Sequence, residues 1–235
     1  IKMEETTFTV VTCSRDDQLT KQNFINHINE TSGIQIKMIF ITNAEGMSLT
    51  SIYHDIMTQV ETNIVLFIHD DIEFLRPNWG VEVLRLFNTY QDYGIIGVAG
   101  SAEFDENGAW WNYNKKYGQV LHRHEGKCWV SAFSPLLEKD LEDVCVIDGL
   151  FIAVHKNRIS SNFNKDIEGF HMYDIDFCLS NFLSHKCKIG VTTNIRIAHN
   201  SVGALSDAWF KNRDKINEKY GNYYPIKVKE KKTRK

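Results

Sequence analysis

NIVLFIHDDIEFLRP, residues 63–77, runs apolar from Ile64 to Ile68 and then sets His69, Asp70, Asp71 and Glu73 almost side by side. Acidic and metal-capable side chains crowded in this way repel one another, so the arrangement costs stability unless a cation, a proton or a donor group offsets the charge. The unbroken apolar run reads as a strand buried on both faces. The cluster therefore stands at the carboxyl end of a buried strand.

Working outward, residues 7–13 (TFTVVTC) read as an earlier buried strand, and the polar stretch SRDDQLTKQNFINHINETSG as a loop leading into an amphipathic helix. Residues 36–42 (IKMIFIT) form a second strand, residues 49–60 a helix, and residues 63–69 the third strand. Strands alternating with helices imply parallel pairing through right-handed crossovers. Such sheets bind ligands in the crevice outside the carboxyl ends of their strands. Ser14, Asn43 and residues 69–73 gather there.

Beyond Pro77 the pattern loosens. A helix is expected near residues 79–90 and a strand at GIIGVAG, residues 94–100, before a loop rich in Gly, Asn and aromatics around GAWWNYNKKYG. VCVIDGLFIAVHK, residues 144–156, reads as a strand pair interrupted at Asp148-Gly149. FHMYDIDFCLSNFLSHKC reads as a helix and IGVTTNIRIAHNS as a strand, which makes the second half antiparallel or mixed.

The 235 residues suit one large α/β domain, expected over residues 1–226. With 43% hydrophobic, 12% aromatic and 24% charged residues, the composition is that of a soluble globular protein, and no apolar run is long enough to cross a bilayer. A formal net charge of -3 argues against nucleic acid as a partner. The opening IKMEETTFTVV passes directly into a strand without the hydrophobic region of a signal peptide. Cys13, Cys128, Cys145, Cys178 and Cys187 are odd in number and lack a CxxC pair, so reduced, buried thiols of a cytoplasmic protein are expected. Residues 227–235 carry six cations against Glu230 alone and read as a solvated tail or linker, or as a contact for the anionic inner face of a membrane.

The series VVTCSR, FIHDDIEF, VIDGLFIAVHK, GFHMYDIDFCL and IRIAHNSVG, in this order and spacing, resembles the GT-A, family-2 type of nucleotide-sugar glycosyltransferase over roughly residues 8–220. The resemblance implies an α/β GT-A domain. Its Rossmann-like half holds a nucleoside-diphosphate sugar, and its mixed central sheet is flanked by helices. It also implies metal-dependent, inverting transfer of a sugar to a glycan or lipid-linked acceptor, as in polysaccharide biosynthesis, with Mn2+ or Mg2+ as the cofactor. The alternative is a nucleotide- or carbohydrate-binding module of the same fold without turnover. A nucleotidyltransferase is disfavoured because no Gly-rich loop follows the first strand.

In the resembling family an Asp-x-Asp motif holds the metal through its last acid. Here it falls on His69-Asp70-Asp71, which makes Asp71 the ligand and Asp70 a helper toward ribose or metal-bound water, with His69 in place of the first acid. Turn capping is the competing role of the two aspartates. Glu73 reads as solvated or as a partner for Arg76. Asp174 occupies the base position of the family's Glu-Asp pair, with Tyr173 where Glu is usual. Asp174 and Asp176, two apart, cannot share a helix face, so at most one enters the crevice. Helix capping is the rival role for either. His199 stands where the resembling enzymes complete the metal shell. Asp148 and Gly149 lie toward the acceptor, or form a turn. Ser14 and Arg15 reach toward the base and phosphates. Trp110 and Trp111 either stack on a sugar or anchor a long loop.

Overall fold

The computed structural model describes residues 8–14, 18–43, 45–203 and 205–229. Its first half is the expected alternation: β1 (Phe8–Ser14), α1 (Gln18–Ser32), β2 (Ile36–Thr42), α2 (Leu49–Gln59) and β3 (Ile64–Ile68). β1 pairs in parallel with both β2 and β3. All five residues of β3 are buried, as its apolar run requires of a strand flanked on both sides and covered on both faces.

The chain continues through β4 (Ile72–Phe74), α3 (Trp79–Thr89), β5 (Tyr93–Gly97), β6 (Ala99–Ser101), β7 (Glu103–Phe104), a short helical turn at Trp110–Asn112, β8 (Lys116–His124) and β9 (Lys127–Ala132). It ends with β10 (Glu142–Val144), β11 (Val146–Ile147), β12 (Phe151–His155), α4 (Tyr173–Leu183), β13 (Lys188–Val191), β14 (Ile197–His199), α5 (Asp207–Tyr220) and β15 (Ile226–Lys227). A seven-stranded mixed sheet runs β10-β13-β5-β12-β3-β1-β2. A second sheet runs β11-β6-β8-β14-β4, with β9 hydrogen-bonded to β8, and β15 pairs with β7.

Two pairings place the site. β12 runs antiparallel to β3 with Phe151 opposite Ile68, which puts residues 148–150 beside His69. β14 runs antiparallel to β4 with His199 opposite Ile72, and the Asn200 amide donates to the Asp71 carbonyl at 2.9 Å.

Several expectations need correction. GIIGVAG is two strands in different sheets, because the chain changes sheet at Val98. Gly100 there meets β11 so closely that a Cβ on it would lie 2.2 Å from the Val146 carbonyl oxygen. IGVTTNIRIAHNS likewise divides into β13 and β14. Glu73 pairs with Arg123 of β8, not with Arg76. None of the five cysteines is in a disulfide, but Cys128 is exposed and Cys13 only partly buried. Order extends into the expected tail: Lys227 pairs with Glu103 at 3.5 Å, and the Val228 amide donates to the Ala102 carbonyl at 2.9 Å. Residues 230–235 lie outside the described residues. No helix among the described residues is long and apolar enough to cross a membrane.

Candidate active site

The end of β3, the β11–β12 junction, the start of α4 and the end of β14 converge on one cavity of about 380 Å³, within the range of small-molecule sites. His69, Asp148, Gly149, Asp174 and His199 line it together with Trp110 and Trp111. The sequence elements carrying these residues are far apart, and only strand pairing brings them together.

On one side, His69, Asp71 and His199 each offer a ligand atom within 4.8 Å of the others. Asp71 Oδ1 lies 3.3 Å from His199 Nε2 and 4.0 Å from His69 Nδ1. That oxygen is buried and accepts no hydrogen bond. A buried carboxylate oxygen with an unused lone pair, facing two imidazoles, is a donor set that could hold a divalent cation. Burial pushes the Asp71 carboxyl up, but the approach of His199, Ser201 and His69 outweighs it and holds the group well below the ordinary range. Burial lowers His69, whereas at His199 the neighbouring Asp71 outweighs burial and raises the imidazole. The charge of Asp71 thus favours a compensating positive charge beside it, from an imidazole proton or a cation, which is one answer to the crowding at residues 69–73.

Asp174 faces the same cavity. Its Oδ2 accepts the Gly149 amide at 2.8 Å and its Oδ1 the Ile175 amide at 2.9 Å. Burial, and then the charge of Asp148, push its carboxyl up to about 7, against which the amides pull only partly. A carboxyl group poised there can take a proton at neutral pH. Met172, in the left-handed conformation, stands at the N-cap of α4, and it offers no side-chain cap. Asp176 turns away. It is buried against α5, where Lys219 Nζ lies at 2.8 Å and Tyr220 Oη at 3.0 Å.

Other expected residues fall differently. The Ser14 hydroxyl hydrogen-bonds Asp70, whose carboxyl is raised by burial despite that bond. The Asn43 side chain is spent within its own loop: it donates to the Met47 carbonyl at 2.7 Å and accepts the Met47 amide at 2.9 Å. Asn43 therefore shapes the loop that follows β2. Arg15 lies outside the described residues. Asp148 Oδ1 accepts the Leu150 amide at 3.0 Å, a turn contact, while the residue still lines the cavity. Gly149 is crowded by Tyr173, since a Cβ there would lie 2.2 Å from Tyr173 Oη. Trp110 is buried, not exposed, and packs on Phe133 at 4.9 Å between ring centroids.

The sequence reading did not foresee Phe133, Phe170 and Trp209 as walls, nor His122, whose ring sits 5.7 Å from that of His199 and stacks on Trp129. His122 occupies the strand register that places it opposite His199, a signal that pairing alone exposes.

A model of a glycosyltransferase-like family matches residues 9–220. No curated protein matches the chain in sequence. Among solved structures the chain resembles GalNAc-T7 with UDP, GalNAc and Mn2+, at 9% identity and TM-score 0.57, over 95% of this chain and 50% of that one. It also resembles the mannosyltransferase PcManGT from Pyrobaculum calidifontis in complex with GDP-Man and Mn2+, at 8% identity and TM-score 0.54, over 94% and 65%. A third is S. aureus TarS, at 11% identity and TM-score 0.52, over 94% and 35%. These likenesses are of fold, and the fold is GT-A. The chain spans between about one third and two thirds of each of these structures.

Proposed function

The chain belongs to the glycosyltransferase-like family, and from that premise we propose that it moves a sugar, with inversion, from a nucleoside-diphosphate donor to an acceptor hydroxyl, with residues 1–226 working as one domain. The observation that carries the reading is one cavity with a cation-type donor set on one wall and a carboxyl group raised to about 7 on another. Inversion by a single displacement needs a base for the acceptor hydroxyl, and Asp174, lining the same cavity as the donor set, supports that role.

Asp71 and His199 hold the divalent cation, with Asp70 and Ser14 beside them toward the ribose. Bound there, a divalent cation offsets the charge that develops on the departing diphosphate. Asp174 takes the proton of the acceptor hydroxyl as that oxygen attacks the anomeric carbon. The amides of Gly149 and Ile175 fix both carboxylate oxygens, which orients the base before the acceptor arrives. Trp110, Trp111 and Asp148 face the acceptor side. The wall of rings suits the apolar faces of a sugar. The structures of GalNAc-T7 and the mannosyltransferase, both with Mn2+, support Mn2+ as the cation.

The test is calorimetric titration of Mn2+ into wild type, Asp71→Ala and His199→Ala, alongside release of nucleoside diphosphate from a panel of nucleotide sugars. Each substitution is expected to weaken Mn2+ binding by at least about tenfold. Unchanged affinity in both removes the metal assignment. Donor binding with no turnover on any acceptor supports a binding module instead.

A further inference from the structure

Two positions of the resemblance depart from its pattern: His69 replaces the first acid of the metal motif, and Tyr173 replaces the Glu before the base. In the folded chain they touch. Tyr173 Oη lies 2.9 Å from His69 Nε2 and donates to the Gly149 carbonyl at 3.1 Å. A carbonyl can only accept, so both contacts are hydrogen bonds at once only when the phenolic proton goes to Gly149 and His69 carries its proton on Nε2. That arrangement leaves the lone pair of His69 on Nδ1, the atom 4.0 Å from Asp71 Oδ1.

We propose that His69 and Tyr173 act as one unit: Tyr173 holds His69 in the tautomer that offers Nδ1, and His69 completes with Asp71 and His199 a two-imidazole, one-carboxylate site that favours divalent transition ions over Mg2+. This rests on the metal reading above and deepens it.

The chemistry follows from the donor set. Mg2+ demands oxygen ligands in near-octahedral geometry and gives up water reluctantly, whereas imidazole suits transition ions. An acid at position 69 would make the site harder and more tolerant of Mg2+. A tyrosine is the matching change, because a ligating histidine needs its second nitrogen held by a partner. Gly149 completes the unit from the backbone. Its carbonyl takes the tyrosine proton, and its missing side chain leaves room for the ring.

The experiment measures metal binding without turnover. Mn2+ is titrated by electron paramagnetic resonance into wild type, His69→Ala, His69→Asp and Tyr173→Phe, with Mg2+ as competitor, and electron spin-echo modulation counts the nitrogens bound to Mn2+. Thermal melting checks that each variant folds. Wild type is expected to show two bound nitrogens and to prefer Mn2+ over Mg2+ by about 100-fold or more. His69→Ala is expected to show one nitrogen and about 10–100-fold weaker binding, and Tyr173→Phe about tenfold weaker binding with two nitrogens. His69→Asp narrows the Mn2+ preference. Nitrogen-15 shifts of His69 in the metal-free protein report the Nε2-protonated tautomer in wild type and a mixture in Tyr173→Phe. One nitrogen in wild type, wild-type affinity in His69→Ala, or an unchanged tautomer in Tyr173→Phe overturns the proposal. If Asp71→Ala still loses Mn2+ in that case, the metal reading above stands without His69. Failure of wild type to bind Mn2+ overturns both.

Discussion

At the scale of single residues, Asp174 and Asp176 show how two acids in one helical turn part ways. Asp174 keeps one edge toward the cavity and a carboxyl group raised to about 7, while Asp176 is swallowed between helices. Asp174→Asn removes the proton acceptor and is expected to lower kcat by about 10²–10⁴-fold with little change in donor affinity. Near wild-type turnover in that variant would remove the base. In wild type, kcat/KM is expected to rise with pH through about 7, since the deprotonated form does the work. The stability effect has the opposite sign. The folded-state value lies above the 3.8 of an unperturbed aspartate, so this group's contribution to stability is full below about pH 4 and is lost as pH rises to 7. Melting curves should therefore show wild type losing ground to Asp174→Asn across that window, by up to about 1 kcal/mol per pH unit, with no further change above it. Asparagine also satisfies only one of the two amides on the carboxylate, which costs about 1 kcal/mol at every pH.

Among elements, the junction between α4 and α5 holds one wall of the cavity in place. Asp176 takes hydrogen bonds from Lys219 and Tyr220 of α5, which also contributes Trp209 to the cavity. Asp176→Ala removes the buried carboxylate and leaves the Tyr220 hydroxyl without that acceptor, while Lys219, 43% exposed, returns to water. The substitution is expected to destabilise the protein by about 1–2 kcal/mol in urea unfolding. Turnover per folded molecule should change far less than in Asp174→Asn. Equal losses of turnover in the two variants would mean that the roles of these acids have been interchanged.

Across the whole molecule, residues 226–228 fold back onto residues 102–104. β15 adds to β7, and Val228 continues the ladder onto Ala102, so the boundary expected at residue 227 falls inside a paired segment. Truncation before Ile226 is expected to lower the melting temperature by several degrees, because a buried isoleucine and a strand pair go with it. Truncation after Lys229 is expected to leave both melting and turnover near wild type. A large loss of kcat from the shorter truncation would show that the basic residues take part in the reaction.

The sequence by itself determined the βαβαβ half, because apolar runs of five to seven residues between amphipathic helices can satisfy their backbones and bury their faces in few other ways. It also put the acidic cluster at a strand end, and it ordered the five motifs that carry the family. What only the tertiary structure decided is who meets whom. The pairing of β14 with β4 puts His199 3.3 Å from Asp71 across 128 positions of chain, and the contact between His69 and Tyr173 joins residues 104 positions apart. The split of GIIGVAG between two sheets was hidden for the same reason. Periodicity records which face of a segment is buried, whereas register and sheet order depend on contacts between segments that share no local signal.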